Sequence, residues 1–115
     1  MKINIYETVG PNCITYEDGE KIFNLIYPEL KKGSSVELDF SNVRVFASPF
    51  FNSAIGRLLE DISIGTLKHN LNITNTTSTG NSVISRVIEN SKDYYFNPEK
   101  RKAIDETLLR QAVNQ

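Results

Sequence analysis

The sequence predicts a small α/β fold with a mixed sheet whose central strands are parallel and carry helices packed on them. One observation is the alternation of apolar and acidic residues over 36–40, which is typical of a strand. A second is the apolar repeat at i, i+3, i+4, i+7, i+8 and i+11 over 51–62, which is typical of an amphipathic helix. A third is the recurrence of this strand-then-helix order along the chain, because such alternation favours parallel strands.

The length of 115 residues is that of one ordinary domain, which can bury enough apolar surface to fold alone. We expect this domain to span residues 1–96. Asn97 followed by Pro98 is typical of a helix start, and an apolar stripe follows. Residues 97–115 are therefore predicted to form a C-terminal amphipathic helix, which either docks on the domain or binds a partner.

Two short extended segments are predicted before the first long helix. Residues 2–7 alternate apolar and polar side chains around Ile3 and Ile5, as the residues of a strand do. A Gly-Pro-Asn sequence at 10–12 is a turn signal that ends this strand. Residues 13–14 are interpreted as a second, very short extended piece.

The first long helix is predicted to begin after Thr15 and to end by residues 32–33. Thr15 with Asp18 three positions later forms a loose N-terminal cap pattern, and apolar residues at helical spacing follow it. Pro28 lies inside that pattern, where it removes one backbone hydrogen bond at a cost of roughly 3 kcal/mol. We therefore expect a kink or a broken last turn.

The middle of the chain predicts a strand that leads through a short crossing into a second helix. A polar turn at 41–42 follows the strand, and Ser48 and Pro49 then match a helix start. The serine hydroxyl can cap the helix, and proline occupies a position where no N–H is needed. The helix is expected to run to Ile62 and to close over 63–66.

One further strand and one further helix are predicted before residue 97. Residues 71–74 form an extended segment, and a loop of Thr, Ser, Asn and Gly residues follows over 75–80. Asn81 or Ser82 is expected to cap the third helix.

Charge and hydropathy exclude two classes of partner. With 13 basic and 14 acidic residues the formal net charge is -1, so no general field favours nucleic acid or an anionic membrane surface. No stretch of about 18 consecutive apolar residues occurs, so no membrane span is predicted.

Cys13 and His69 are the only cysteine and the only histidine of the chain. They allow no internal disulfide and no Cys/His zinc site, and neither lies in a nucleophile or base motif. We expect a buried structural thiol at Cys13 and a surface imidazole at His69. The expectation is accordingly a cytoplasmic binding module without metal or cofactor, rather than an enzyme.

The sequence DFSNV at 39–43, followed by ASPF at 47–50, resembles the STAS domain and most closely its STAS-like offshoot of unassigned function. The order of elements fits this resemblance over residues 1–96. The resemblance implies a small α/β domain that binds a protein partner, commonly a histidine-kinase-like ATPase. In the anti-sigma-factor antagonists, that partner phosphorylates a serine at the start of the second helix and so changes its own affinity for the domain.

The chain departs from the antagonist pattern at this serine. Alignment on 39–43 puts Pro49 where the antagonists keep the phosphorylated serine and Ala47 where they keep an aspartate. Ser48 matches the preceding serine. Two roles stay open for Ser48, as the N-cap of the helix and as the site of phosphorylation.

Phe50 and Asp39 are the other informative residues of this segment. Phe50 lies off the apolar stripe of its helix, so it is expected either to stand in solvent as a partner anchor or to pack against Phe46 or the final helix. Asp39 ends the strand, where we expect a structural role in orienting the loop that leads to Ser48.

The leading hypothesis is a non-enzymatic STAS-like interaction module of a bacterial signalling or partner-switching system. Its expected partner is a histidine-kinase-like ATPase, contacted also through the 75–82 loop. The predicted partner-binding residues are Asp39, Ser48, Pro49, Phe50 and Asn52.

Two alternatives stay open. One is a small ligand or nucleotide bound at the carboxyl ends of the parallel strands, for which the candidate loop residues are Asn75, Thr76, Gly80 and Asn81. The other is a structural homo-oligomer, such as a homodimer, assembled through residues 97–115.

Overall fold

Strands and helices alternate along the chain, and the computed structural model describes them over residues 1–96. In this part of the chain the strands are β1 (Lys2–Asn4), β2 (Asn12–Cys13), β3 (Val36–Asp39), β4 (Val45–Phe46) and β5 (Leu71–Thr74). The helices are α1 (Ile5–Val9), α2 (Tyr16–Lys31), α3 (Ser48–Ala54), α4 (Ile64–Asn70) and α5 (Ser78–Phe96), with a 3₁₀ helix at Gly56–Glu60. The helix predicted over 97–115 lies outside the described residues.

The strands form two sheets, and within each sheet the strands are parallel. The larger sheet has the order β1-β3-β5, and the smaller one pairs β2 with β4. Both pairings in the larger sheet are parallel, as is the pairing of β2 with β4. The predicted α/β class with parallel central strands is thus confirmed. The strands described over residues 1–96 have no antiparallel pairing, so a mixed sheet is not seen among them.

The larger sheet has one apolar and one polar face. Ile3, Leu38 and Ile73 are register partners across its three strands and belong to or pack against the hydrophobic core. The next row, at the carboxyl ends, is Asn4, Asp39 and Thr74. The strands follow one another across the sheet in the order of the chain, and crossovers between parallel strands are right-handed. The connecting helices therefore pack on one face of the sheet, which is the apolar face.

A cluster of phenylalanines joins the end of β3 to the smaller sheet and to α3. The ring centroids of Phe40 and Phe51 lie 5.7 Å apart, and Phe46 lies 6.0 Å from Phe40 and 6.2 Å from Phe51. These separations are within the range of favourable aromatic pairs. The cluster therefore fixes β4 and the start of α3 against the central strand.

Helix α2 crosses α3 at very close range. A Cβ added at Gly19 would lie 2.2 Å from the carbonyl oxygen of Phe50 and 2.9 Å from Cβ of Ser53. Only a residue without a side chain allows this approach. At the start of α2, the Thr15 hydroxyl accepts a hydrogen bond from the Asp18 N–H at 3.1 Å, which confirms the predicted cap.

Two expectations for the N-terminal half were wrong. Strand β1 ends at Asn4, because its side-chain oxygen accepts a hydrogen bond from the Glu7 N–H at 2.9 Å and starts α1. Ile5 is fully buried as the first residue of α1. A strand would also bury it, beside Ile3, so the apolar alternation did not distinguish a strand from a helix at this position. Helix α2 also continues through Pro28 to Lys31, so its last turn is not broken, and it ends by residues 32–33 as predicted.

The second helix is interrupted where one continuous helix was predicted. Ile55 leaves helical geometry at φ -119° and ψ -47°, and the 3₁₀ helix follows. Ser63 then begins α4 instead of closing the earlier helix, because its hydroxyl accepts a hydrogen bond from the Thr66 N–H at 3.1 Å. The apolar stripe over 51–62 is nevertheless buried.

Helix α5 begins earlier than predicted. The Thr77 hydroxyl accepts a hydrogen bond from the Gly80 N–H at 3.0 Å, so Thr77 and not Asn81 or Ser82 caps the helix. The loop after β5 is accordingly shorter than the expected 75–80.

Candidate functional site

Asp39 ties together the loops that follow β3 and β5. One of its carboxylate oxygens accepts hydrogen bonds from the Ser41 N–H at 2.9 Å, the Ser41 hydroxyl at 2.7 Å and the Asn75 side-chain amide at 3.0 Å. Asn42 and Asn75 both adopt positive φ, at 69° and 57°, which asparagine tolerates better than most residues. The carboxylate thus holds two tight turns against each other.

These hydrogen bonds also decide the protonation state of Asp39. The bonds from Ser41 and Asn75 stabilise the carboxylate and lower its pKa to about 2, and the Lys2 ammonium at 3.9 Å acts in the same direction. A carboxylate of this kind is charged at neutral pH and is a poor general base. Only 7% of Asp39 is exposed, and its carboxylate stabilises the two loops through these hydrogen bonds.

The opening turn of α3 differs in detail from the prediction. Ala47 is the N-cap residue, with φ -119° and ψ 144°, and no side chain caps the helix. Ser48 is the first helical residue, so its predicted role as the N-cap is wrong. Pro49 follows in the first turn, where a missing N–H is tolerated, and it is exposed.

Phe50 is fully buried, so of the two open alternatives the one in which it stands in solvent as a partner anchor was wrong, and the side chain packs inside the domain. Its ring packs edge-to-face on Phe51, with centroids 4.9 Å apart. The physical reason is that α2 closes over this turn with Gly19 at the Phe50 carbonyl, so α3 is enclosed on more than one side. Ser53 and Ala54 are buried as well, so α3 buries more than one face, although Pro49 and Asn52 stay exposed.

Apolar side chains other than Phe50 are exposed near the opening turn of α3. Along the smaller sheet, Cys13 and Phe46 point inward and are buried, whereas Ile14 and Val45 are 42% and 41% exposed. Val45 pairs with Asn12, and the Ala47 N–H donates to the Cys13 carbonyl at 2.9 Å. This pairing brings Ile14 beside the opening turn of α3.

We call the resulting patch the ribbon surface. Tyr16 is 46% exposed at the start of α2, two residues after Ile14. Asn52 is exposed on the same side of α3 as Ser48 one turn earlier. The ribbon surface consists of Ile14, Tyr16, Val45, Pro49 and Asn52. Sequence reasoning missed its β4 part, for which the only local signal is the short alternation over 43–45.

The predicted ligand loop is largely engaged inside the domain. Asn75 donates its amide to Asp39, and a Cβ added at Gly80 would lie 2.2 Å from the Thr76 hydroxyl oxygen and 2.8 Å from the Phe46 ring. Asn81 is exposed, whereas Gly80 is buried. The loop therefore packs on the smaller sheet at Gly80, whereas Asn75 and Asn81 are exposed.

The remaining titratable candidates do not form a catalytic set. His69 is exposed in the last turn of α4, as predicted. Cys13 is fully buried, and burial together with the charge of Asp18 raises the pKa of its thiol to about 12. Among residues 1–96, no cluster of three histidine, cysteine or acidic side chains is arranged to hold a metal ion.

None of the helices described over residues 1–96 has the length and apolar character needed to cross a membrane.

The comparisons with known proteins gave one match. The family described as a STAS-like domain of unknown function (DUF4325) matches residues 18–81, which run from the first turn of α2 through β3, β4, α3, the 3₁₀ helix, α4 and β5 to the start of α5. No curated protein and no solved structure matched the chain. Because the matched segment is more than half of the sequence and agrees with the α/β architecture, the chain belongs to the STAS-like family of unknown function.

Proposed function

We propose that the chain is a non-enzymatic protein–protein interaction module of a bacterial signalling or partner-switching system in the cytoplasm. Its partner is a histidine-kinase-like ATPase, and the contact is made through the ribbon surface. The observation that carries this proposal is the exposure of Ile14 and Val45 beside the opening turn of α3.

The composition of the ribbon surface fits a protein partner. Its five residues carry no formal charge, and they include an aromatic ring and two β-branched aliphatic side chains. One cation borders it, since the Arg57 guanidinium lies 5.9 Å from the centroid of the Tyr16 ring. Protein interfaces are depleted in charge at their centre and enriched in aromatic residues. Grouped apolar side chains that a domain leaves in water are typical of an interaction site.

Ser48 is the residue through which such a contact would be regulated. It is half-buried in the first turn of α3, one turn before Asn52 of the ribbon surface, and the resemblance aligns the neighbouring Pro49 with the antagonists' phosphoserine. Phosphorylation would place a charge of about -2 in an uncharged surface. That charge would weaken the apolar contact and release the partner.

The proposal is tested by titrating the full chain into purified histidine-kinase-like ATPases encoded beside its gene, with ATP present, in a calorimeter. Val45→Asp should weaken binding at least about tenfold, because it puts a charge into the apolar centre of the contact. Leu25→Asp is the matched control, since Leu25 is 44% exposed on α2, more than two turns beyond Tyr16. Equal affinity of Val45→Asp and wild type would refute the proposal, as would the absence of binding to every such ATPase.

The same titration examines Ser48. Ser48→Asp should weaken binding, whereas Ser48→Ala should retain it, because only the first variant introduces a charge. Equal binding by the two variants would remove Ser48 from the proposed mechanism.

A further inference from the structure

An apolar cavity lies between α4, β5 and α5, elements that contribute no residue to the ribbon surface. Its volume is about 180 Å³. Its apolar wall consists of Ile55, Ile64, Leu67, Leu71, Ile73 and Ile88.

The cavity is large enough for a small apolar molecule. The cavity opens to solvent on one side, where Ile64, Leu71, Ile73 and Ile88 are half-buried. Its volume is similar to the roughly 150 Å³ of an aliphatic cavity that holds a ligand of the size of benzene. The wall here is built almost entirely from branched aliphatic side chains, which offer no hydrogen bonds to water. A body of roughly five carbon atoms therefore fits better than a polar molecule.

One cation completes the cavity lining. Lys68 lies on α4 next to Leu67, and it lines the cavity while being exposed, which places this residue at the rim. Within residues 1–96 Lys68 has no ion-pair partner, whereas Lys21 and Lys31 on α2 pair with acidic side chains. The rim can thus accept an anionic group while the wall accepts an apolar one.

We propose that this cavity binds a small aliphatic monocarboxylate. The alkyl chain lies against the isoleucine and leucine wall, and the carboxylate contacts the Lys68 ammonium at the rim. This site is independent of the ribbon surface and of the proposed protein partner.

Hexanoate is the probe for a direct test on the full chain, followed by NMR of the isoleucine methyl groups. The shifts should be confined to Ile55, Ile64, Ile73 and Ile88, with a Kd of about 1 mM. Butanoate should bind about fifteenfold more weakly, because each CH₂ group contributes about a factor of four. The absence of shifts at about 20 mM hexanoate would overturn the proposal, as would shifts spread over core isoleucines such as Ile22.

Hexanol separates the contribution of the charge from that of the alkyl chain. Hexanoate should bind about two- to fivefold more tightly than hexanol. Lys68→Gln should remove this preference and leave hexanol binding unchanged, and Lys21→Gln should change neither. Equal binding of hexanoate and hexanol to the wild-type chain would contradict the carboxylate assignment.

Ile88→Phe tests the cavity itself, because the larger ring occupies part of its volume. The variant should lose binding of both probes, and unchanged binding in a folded variant would overturn the proposal. If Ile88→Phe does not fold, the methyl shifts and the hexanol comparison on the wild-type chain still decide the outcome.

Discussion

The role of Asp39 is to accept hydrogen bonds from the loops that follow β3 and β5. Its place at the end of a strand predicted a structural function in the following loop, and the hydrogen bonds from Ser41 show that function. The bond from Asn75 could not be predicted, because that residue is 36 positions away in the sequence. The lowered pKa follows from both partners together.

We predict that Asp39→Asn lowers the free energy of unfolding at neutral pH, because hydrogen bonds to a neutral amide are weaker than bonds to a carboxylate. The pKa of Asp39 is about 2 in the folded chain and about 3.9 in an unfolded one. The stabilisation by the carboxylate is therefore complete above about pH 4 and is lost as the pH falls through about 2. Urea unfolding at a series of pH values should show the gap between wild type and variant narrowing over this range.

Glu60→Gln, at an exposed position, controls for the loss of one surface charge. A gap between wild type and Asp39→Asn that stays constant between pH 5 and about pH 2 would contradict the prediction.

Gly19 shows a requirement that residue propensity alone does not reveal. Alanine normally stabilises a helix relative to glycine, but at Gly19 its Cβ would lie 2.2 Å from the Phe50 carbonyl oxygen. Gly19→Ala should therefore lower the free energy of unfolding by about 1–3 kcal/mol, because α2 and α3 must separate. Gly65→Ala on α4 is the matched control, since nothing lies within 4 Å of the added Cβ, and it should stabilise the chain by up to about 1 kcal/mol.

Both variants are compared by urea denaturation. A Gly19→Ala chain as stable as Gly65→Ala would show that the two helices are not held in close contact.

Phe50 marks the limit of inference at the residue scale. A stripe pattern assumes that a helix has one buried face, and on that assumption Phe50 belonged outside it. Helix α3 is enclosed by α2 as well as by the phenylalanine cluster, so the assumption fails. Which helices cover a given turn depends on tertiary contacts that local periodicity does not contain.

At the scale of elements, the longer strands and helices were predicted, whereas the short elements α1, β4 and α4 were not. The strand over 36–40 and the helix after Thr15 were found because alternation and capping are local. Strand β4 was missed, because two residues give too short a pattern, and its pairing with β2 is non-local. The break at Ile55 was also missed, because α3 and the 3₁₀ helix keep the same apolar stripe buried.

Helix α2 contains an intrinsic weakness at Pro28. This proline is exposed, and the helix continues through it although the proline cannot donate a backbone hydrogen bond. Pro28→Ala should raise the free energy of unfolding by up to about 3 kcal/mol, as measured by urea denaturation.

Pro49→Ala is the control for proline removal. Pro49 stands in the first turn of α3, where no N–H is needed, so its replacement should leave stability unchanged or lower it by up to about 1 kcal/mol. If Pro28→Ala gave no more stability than Pro49→Ala, the explanation for α2 would be incorrect.

At the scale of the whole molecule, the fold class followed from the order of elements, and the family match over residues 18–81 agrees with it. The ribbon surface did not follow, because it assembles residues from β2, β4 and two helices. The segment 48–52 was predicted correctly as the start of the second helix. The exposed side chains of Ile14, Tyr16 and Val45 belong to other elements of the chain, and the prediction did not include them.

The most direct measurement of the central claim is hydrogen–deuterium exchange of the full chain with and without its ATPase partner. We predict that binding slows exchange at residues 12–16 and 45–52, which carry the ribbon surface, and leaves 64–73 unchanged. Protection confined to 64–73, or unchanged exchange across 12–16 and 45–52 in the bound chain, would contradict the account.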